Sequence, residues 1–122
     1  MRAVELFTGA GGLALGTARA GFHHAALVEF NRSACNSIRL NKRNGFSLLA
    51  DATLHEMDVR SFDYANLGDI HLVAGGPPCQ PFSIGGKHRG FRDDRDMFPE
   101  AVRAVRALRP KAFVFENVKG LL

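Results

Sequence analysis

Short apolar runs alternate with amphipathic stretches from one end of the chain to the other. Arg2 to Phe7 reads as a strand that stops at Thr8-Gly9-Ala10-Gly11-Gly12, and Leu13 to Ala20 reads as a helix closed by Gly21. Ala25 to Val28 is a second apolar run that ends at Glu29. Asn31 is a good N-cap for a helix reaching about Arg43, with Asn44-Gly45 closing it. A third strand is expected near Phe46 to Ala50, followed by a polar connection from Asp51 to Asn66 that contains Asp58. Ile70 to Ala74 is a clear fourth strand, and Gly75 to Asp94 is a long Gly- and Pro-rich loop of the kind that carries function. The next helix has Pro99 in its first turn, with Phe98, Ala101, Val102, Val105 and Leu108 on one apolar face and Arg103 and Arg106 facing outward; Pro110 ends it. Ala112 to Phe115 is a fifth strand, apolar on both faces.

Repeated strand–helix units predict an α/β fold, with a parallel sheet of about five strands, right-handed crossovers and helices on both faces. Ligands of such sheets bind beyond the carboxyl ends of the strands, where the winding order reverses. The loops after strands 1, 2, 4 and 5 carry the unusual residues. No internal repeat, low-complexity tract or linker divides the 122 residues, which describe one domain at most.

Composition narrows the class only a little. A 46% hydrophobic and 23% charged chain is ordinary for a globular protein, which excludes a disordered tail, a collagen-like repeat and a disulfide-dense miniprotein. No apolar run approaches a membrane span, and the first ten residues lack a signal-peptide core, so a cytoplasmic setting is expected. In that setting Cys35 and Cys79 act as thiols, too few for a disulfide framework. The net charge of +4 permits a nucleic-acid partner but is equally what solubility asks for.

The chemistry concentrates in the strand-end loops. Gly9, Gly11 and Gly12 let the backbone turn sharply beside a ligand, while Gly16 and Ala20 are expected to let the following helix pack closely on the sheet. Glu29 lies 20 residues beyond Gly9, at the end of strand 2, where an acid can accept hydrogen bonds from ribose hydroxyls. A glycine turn alone serves packing as often as binding, and a strand-end carboxylate alone is usually just solvated. Cys79 sits between prolines in Gly75-Gly76-Pro77-Pro78-Cys79-Gln80-Pro81-Phe82-Ser83, a stiff loop that can aim a thiol, whereas Cys35, on its helix, reads as buried and inert. Glu116 follows the apolar strand and is expected to be partly desolvated; a structural ion pair is the plainer reading. If strands 4 and 5 are parallel neighbours, about 4.8 Å apart, Cys79 and Glu116 emerge side by side. Lys87, His88, Arg89, Arg92 and Arg95 make the following loop basic, as phosphate contacts require, although Asp93, Asp94 and Asp96 offset much of it. The five histidines show no metal-ligand spacing with one another or with the cysteines, and no metal is expected.

These residues resemble the cytosine-5 DNA methyltransferases. Phe7-Thr8-Gly9-Ala10-Gly11-Gly12 looks like their first motif, Gly76-Pro77-Pro78-Cys79-Gln80-Pro81-Phe82-Ser83 like their catalytic loop, and Glu116-Asn117-Val118 like their glutamate motif, all in the family's order. Glu29 with Phe30, Asp58 with Val59, and Asp94-Arg95 ahead of Met97-Phe98 fit between them, so the similarity spans essentially the whole chain. The resemblance implies a Rossmann-like methyltransferase fold, S-adenosylmethionine as methyl donor and a DNA cytosine as acceptor. Phe7, Gly9, Ala10, Gly11 and Gly12 would contact the cofactor, Glu29 its ribose, and Phe30 and Asp58 with Val59 its adenine; Pro78 and Met97 would line the same pocket. Cys79 and Glu116 would be catalytic, with Gln80, Ser83, Asn117, Lys87 and Arg89 on the DNA side.

Nothing in these residues resembles the family's later Gln-x-Arg-x-Arg motif, its target-recognition domain or its C-terminal cofactor-closing segment. The leading expectation is therefore the N-terminal part of a catalytic domain, completed by another polypeptide or segment, with the Ala112 to Phe115 strand left as an exposed edge. A cofactor-binding or interaction module without activity of its own is the alternative. A nicotinamide-binding redox domain would use the glycine turn and Glu29 but leave Cys79 and Glu116 unexplained, and an RNA substrate stays open within related enzymes.

Overall fold

The structure is a computed structural model, and it describes residues 1–45, 47–78 and 97–117. Five parallel strands, β1 (Arg2–Leu6), β2 (His23–Glu29), β3 (Leu54–Glu56), β4 (Leu72–Gly75) and β5 (Ala112–Phe115), form one sheet in the order β3-β2-β1-β4-β5. Two helices, α1 (Gly12–Arg19) and α2 (Arg32–Arg43), cover one face, and α3 (Phe98–Leu108) covers the other. The winding reverses between β1 and β4, which puts the crevice of a doubly wound sheet at the carboxyl ends of those two strands.

Local chemistry accounts for most of these boundaries. Asn31 caps α2, its side-chain oxygen accepting the Ala34 amide at 3.0 Å. The α3 helix runs one residue short of Pro110's neighbour: Arg109 adopts a left-handed φ of 45° and its amide closes on the Val105 carbonyl. Apolar residues of the central strands split between faces as the period-two rule requires. Val4, Leu6, Val28 and Val73 pack with Ala104 on the α3 side, and Leu27 packs with Ala14 and Ile38 on the α1 and α2 side. Among the described residues no helix is long and apolar enough to cross a membrane.

Several expectations fail, each for a local reason. Residues 47–49 form a 3-10 turn, not a strand; Leu49 is buried there against Ala14 and Ile38, so the apolar pair Leu48-Leu49 marks a packing turn. Phe46 lies outside the described residues. The third strand instead falls inside the segment read as a polar connection, because a three-residue edge strand is too short to show a period. That same segment contributes buried Val59, Phe62 and Tyr64 to the α3-side core. Arg103 does not point outward: its guanidinium donates to the Val59 carbonyl at 2.6 Å and to Glu100 at 2.6 Å, and lies over the Tyr64 ring. Gly16 and Ala20 are exposed and provide no close helix–sheet approach; Ala14 does that work. The β5 strand, by contrast, lies at the sheet edge as expected, with Phe113 59% and Val114 47% exposed.

One buried group runs against the pattern. Glu5, in the middle of β1, is fully buried; the Ala14 amide lies near enough to favour its charged form slightly, but neither carboxyl oxygen has a partner in good hydrogen-bond geometry among the described residues. Burial pushes its pKa up to about 8. His24 lies 3.8 Å away and is itself held below the ordinary imidazole range by burial, with Thr17 Oγ1 2.9 Å from the same ring nitrogen. From pH 6.5 up to about 8 burial therefore favours the neutral pair, a protonated carboxyl beside an uncharged imidazole.

The folded chain keeps the Glu5 proton up to about pH 8, whereas an unfolded glutamate releases it near 4.5, so this group's contribution to stability falls as pH rises between those values. His24 works in the opposite direction, but only below its ordinary value of 6.5. From pH 6.5 to 8, wild type should lose about 1–2 kcal/mol of unfolding free energy relative to Glu5→Gln, which carries no proton to release. Urea denaturation at the two pH values checks this; parallel losses in the two proteins would contradict it.

Candidate functional site

A cleft of about 390 Å³ lies at the carboxyl ends of β1, β2, β3 and β4, beside the reversal of winding. Its lining comes from four strand-end segments: Phe7 after β1; Val28, Glu29 and Phe30 at the end of β2; Met57, Asp58, Val59 and Arg60 after β3; and Gly76 and Pro78 after β4. Met97, the residue before α3, completes it. The walls are mostly apolar, and the charged groups among them are Glu29, Asp58 and Arg60. That is the usual balance of a small-molecule site, in which a few polar groups orient a ligand held by apolar surface.

Glu29 organises the cleft. Its Oε2 accepts the Gly9 amide at 2.7 Å and its Oε1 accepts the Asn31 amide at 2.6 Å. One carboxylate thus ties the glycine turn after β1 to the start of α2 through two charge-assisted bonds. The turn needs such a tie because its backbone is unusual: Gly9 has a φ of 56°, Gly11 of 94° and Phe7, which has a side chain to accommodate, of 54°. The left-handed Phe7 conformation ends β1 and sets its ring at the cleft. Phe30, 75% exposed, stands at the mouth.

Asp58 is fixed from the other side. It caps a short 3-10 turn, Val59–Ser61, by accepting the Arg60 amide at 2.9 Å, and its carboxylate takes the Arg60 guanidinium at 2.6 and 3.0 Å. Those bonds from Arg60 hold its pKa below the usual carboxylate range.

The third part of the site is the junction of β4 and β5. The Glu116 amide donates to the Gly75 carbonyl at 2.9 Å, and Asn117 Nδ2 donates to the Pro77 carbonyl at 3.3 Å, so the segment leading into Cys79 runs beside Glu116 and Asn117. Gly75 must be glycine at this crossing, since a Cβ there would lie 2.5 Å from the Leu6 carbonyl oxygen. A Cβ on Gly76 would lie 3.3 Å from Glu116 Oε2, so the carboxylate rests over that glycine. The expected desolvation of Glu116 is not found: as an edge strand β5 leaves it exposed.

Seven of the eleven expected cofactor residues therefore line one cleft: Phe7, Glu29, Phe30, Asp58, Val59, Pro78 and Met97. Gly9, Ala10, Gly11 and Gly12 form the adjoining turn without lining it. Cys79, Gln80, Ser83, Lys87 and Arg89 lie outside the described residues, as do the other loop residues through Asp96 and Val118. Cys35 is buried, with burial pushing its thiol pKa up and its Sγ 3.6 Å from the Glu29 carbonyl, an environment without a reactive thiolate. Among the described residues no group of three or more His, Cys, Asp or Glu could hold a metal ion. Sequence reasoning missed Val28, Met57, Arg60 and Gly76. Met57 and Arg60 flank the Asp58-Val59 pair that was noticed, and recognising β3 would have placed them at a strand end.

Comparison with known proteins points one way. The profile of the C-5 cytosine-specific DNA methylase family matches residues 1–122. The type II methyltransferase M.NgoMIV of Neisseria gonorrhoeae is 49% identical over 119 residues, covering 98% of this chain and 36% of its own length. M.PspPI of a Psychrobacter species, also a type II methyltransferase, is 45% identical over 97% of this chain and 27% of its own length. A crystal structure described as a prophage-encoded DNA modification methyltransferase of E. coli superposes with a TM-score of 0.78 at 32% identity, covering all of this chain and 33% of that one. The chain thus spans about a quarter to a third of the length of these relatives.

The double acceptor role of Glu29 has a measurable consequence. Glu29→Gln keeps the shape but turns one oxygen into a donor, leaving either the Gly9 or the Asn31 amide without its acceptor, and should cost about 1–3 kcal/mol of unfolding free energy. Chemical denaturation checks it; unchanged stability would mean that the turn holds itself.

Proposed function

The chain belongs to the C-5 cytosine-specific DNA methylase family, and from that premise we propose that it is the N-terminal catalytic portion of an enzyme that transfers a methyl group from S-adenosylmethionine to C5 of cytosine in DNA. The observation that carries the reading is the cleft itself: the glycine turn, the Glu29 carboxylate and the Asp58 carboxylate converge on one mostly apolar pocket at the sheet's switch point.

The residues fit the cofactor. Glu29 spends one lone pair of each oxygen on backbone amides and retains acceptor capacity for ribose hydroxyls. Phe7, Phe30, Val59, Pro78 and Met97 provide apolar surface for a purine, and Asp58 an acceptor for its amino edge. When bound, S-adenosylmethionine supplies an electrophilic methyl group carried on a sulfonium sulfur.

The chain's own task is to make C5 of cytosine nucleophilic. The Cys79 thiolate adds at C6 and moves electron density to C5. C5 takes up the methyl group, its proton leaves to water, and elimination of Cys79 restores the aromatic ring. Glu116, held beside the segment that leads to Cys79, takes up a proton, donates it in a hydrogen bond to N3 and accepts one from the amino group, and so stabilises the charge that develops on the base. Its exposure suits this role, because the carboxyl is free to meet a base flipped out of the duplex. Gln80, Ser83, Asn117, Lys87 and Arg89 serve the DNA side of the site.

A further polypeptide or segment completes the domain. Its support is the β5 edge, where Phe113 and Val114 present apolar surface beside a strand edge that no other described strand pairs with, together with the greater length of the relatives. The bacterial type II relatives favour a restriction–modification setting in the cytoplasm.

Duplex DNA containing 5-fluorocytosine tests the mechanism, since fluorine cannot leave C5 as a proton does. In the active assembly it should trap a covalent adduct at Cys79, found by peptide mass spectrometry, and Cys79→Ser should abolish both adduct and methyl transfer. Attachment at Cys35, or transfer surviving in Cys79→Ser, would refute the assignment.

A further inference from the structure

Arg60 lines the cleft, yet neither the glycine turn, the strand-end acids nor the family motifs give it a part. Its side chain folds back on its own turn. The guanidinium meets the Asp58 carboxylate through Nε, 3.0 Å from each oxygen, and Nη2, 2.6 Å from Oδ2, while the Arg60 amide also donates to Oδ1. Backbone and side chain of one residue therefore grip the carboxylate of its neighbour two positions earlier.

Stability does not account for this grip. The Arg60 side chain is 57% and the Asp58 side chain 28% exposed, and ion pairs so open to water contribute little to folding. What the fork does achieve is orientation. A carboxylate free to turn about its two side-chain torsions can present an acceptor in many directions, and ordering it on binding costs affinity. A planar guanidinium bonded to both oxygens removes that freedom beforehand, in a geometry an ammonium cannot reproduce.

We propose that Arg60 is a positioning residue that locks the Asp58 carboxylate in the wall of the cleft, so that a 6-aminopurine finds a fixed, ionised acceptor there. The inference rests on the cofactor reading above and deepens it: the Asp58–Arg60 fork sets the preference for an amino-bearing purine. The lowered Asp58 pKa is consistent with it. Glu29 lines the same cleft from β2 but is committed to the Gly9 and Asn31 amides and takes no part in the fork.

Calorimetric titration of the chain with S-adenosylhomocysteine, and with its deaminated analogue that carries a 6-oxo group, tests the proposal. Arg60→Ala should weaken binding of the adenine ligand by roughly three- to ten-fold, as losing a preordered acceptor implies, while the 6-oxo ligand changes little. Arg60→Lys, which keeps the charge and loses the fork, should behave like Arg60→Ala. In an Asp58→Asn background, Arg60→Ala should add nothing further. Thermal midpoints should be near wild type in all of them, which separates positioning from a loss of fold. Unchanged or tighter binding in Arg60→Ala, an equal loss for both purines, or a full loss persisting in the Asp58→Asn background would overturn the proposal. Binding of neither ligand, by the wild-type chain alone and by the assembly that includes the completing segment, would instead overturn the cofactor reading, and this inference with it.

Discussion

The cleft depends on one carboxylate. Glu29 accepts the amides of Gly9 and Asn31, and through them it joins the turn after β1, its own strand end and the first turn of α2. Each segment is unfavourable alone: the turn holds Phe7, Gly9 and Gly11 at positive φ, and the start of a helix has amides without partners. Charge-assisted bonds of 2.6 and 2.7 Å satisfy both at once. The acid that shapes the pocket is also the one best placed to recognise a ligand in it, which explains why a glycine turn and an acid 20 residues later belong together in this kind of sheet.

The sheet supplies the rest of the geometry. Because β1 and β4 are parallel neighbours at the reversal of winding, the loops that follow them diverge and leave a crevice between them. Because β5 pairs with β4, Glu116 and Asn117 leave the sheet beside Gly76 and Pro77, and the chain enters the Cys79 loop against them. Gly75 permits that crossing by leaving room for the Leu6 carbonyl. The two halves of the proposed site, one for cofactor and one for substrate, therefore meet at consecutive residues after a single strand.

Much of this was legible in the sequence, and the failures share a cause. Long elements with a repeated pattern, such as α2 with its Asn31 cap and α3 between Pro99 and Pro110, could be read directly. The strand–helix alternation sufficed to locate the site at the strand ends. Short elements and edges could not be read, because local pattern does not say what lies beside them. Leu48-Leu49 looked like a strand and is a packing turn, while Leu54-His55-Glu56 looked like a connection and is β3. Glu116 is the related case: the apolar strand before it suggests desolvation, whereas the edge position of that strand, itself expected, leaves the carboxyl exposed. Arg103 and Arg60 were read as solvated or not noticed, because an arginine's partner, here the Val59 carbonyl and the Asp58 carboxylate, is a tertiary or turn-level fact.

If this strand-end cleft takes a methyl donor and not a dinucleotide, S-adenosylmethionine should bind the purified chain and NAD should not displace it. Competitive calorimetric titration with the two ligands decides between them. Heat of binding from S-adenosylmethionine that persists in excess NAD fits a methyl-donor pocket, whereas preferential binding of NAD would make the cleft a dinucleotide site.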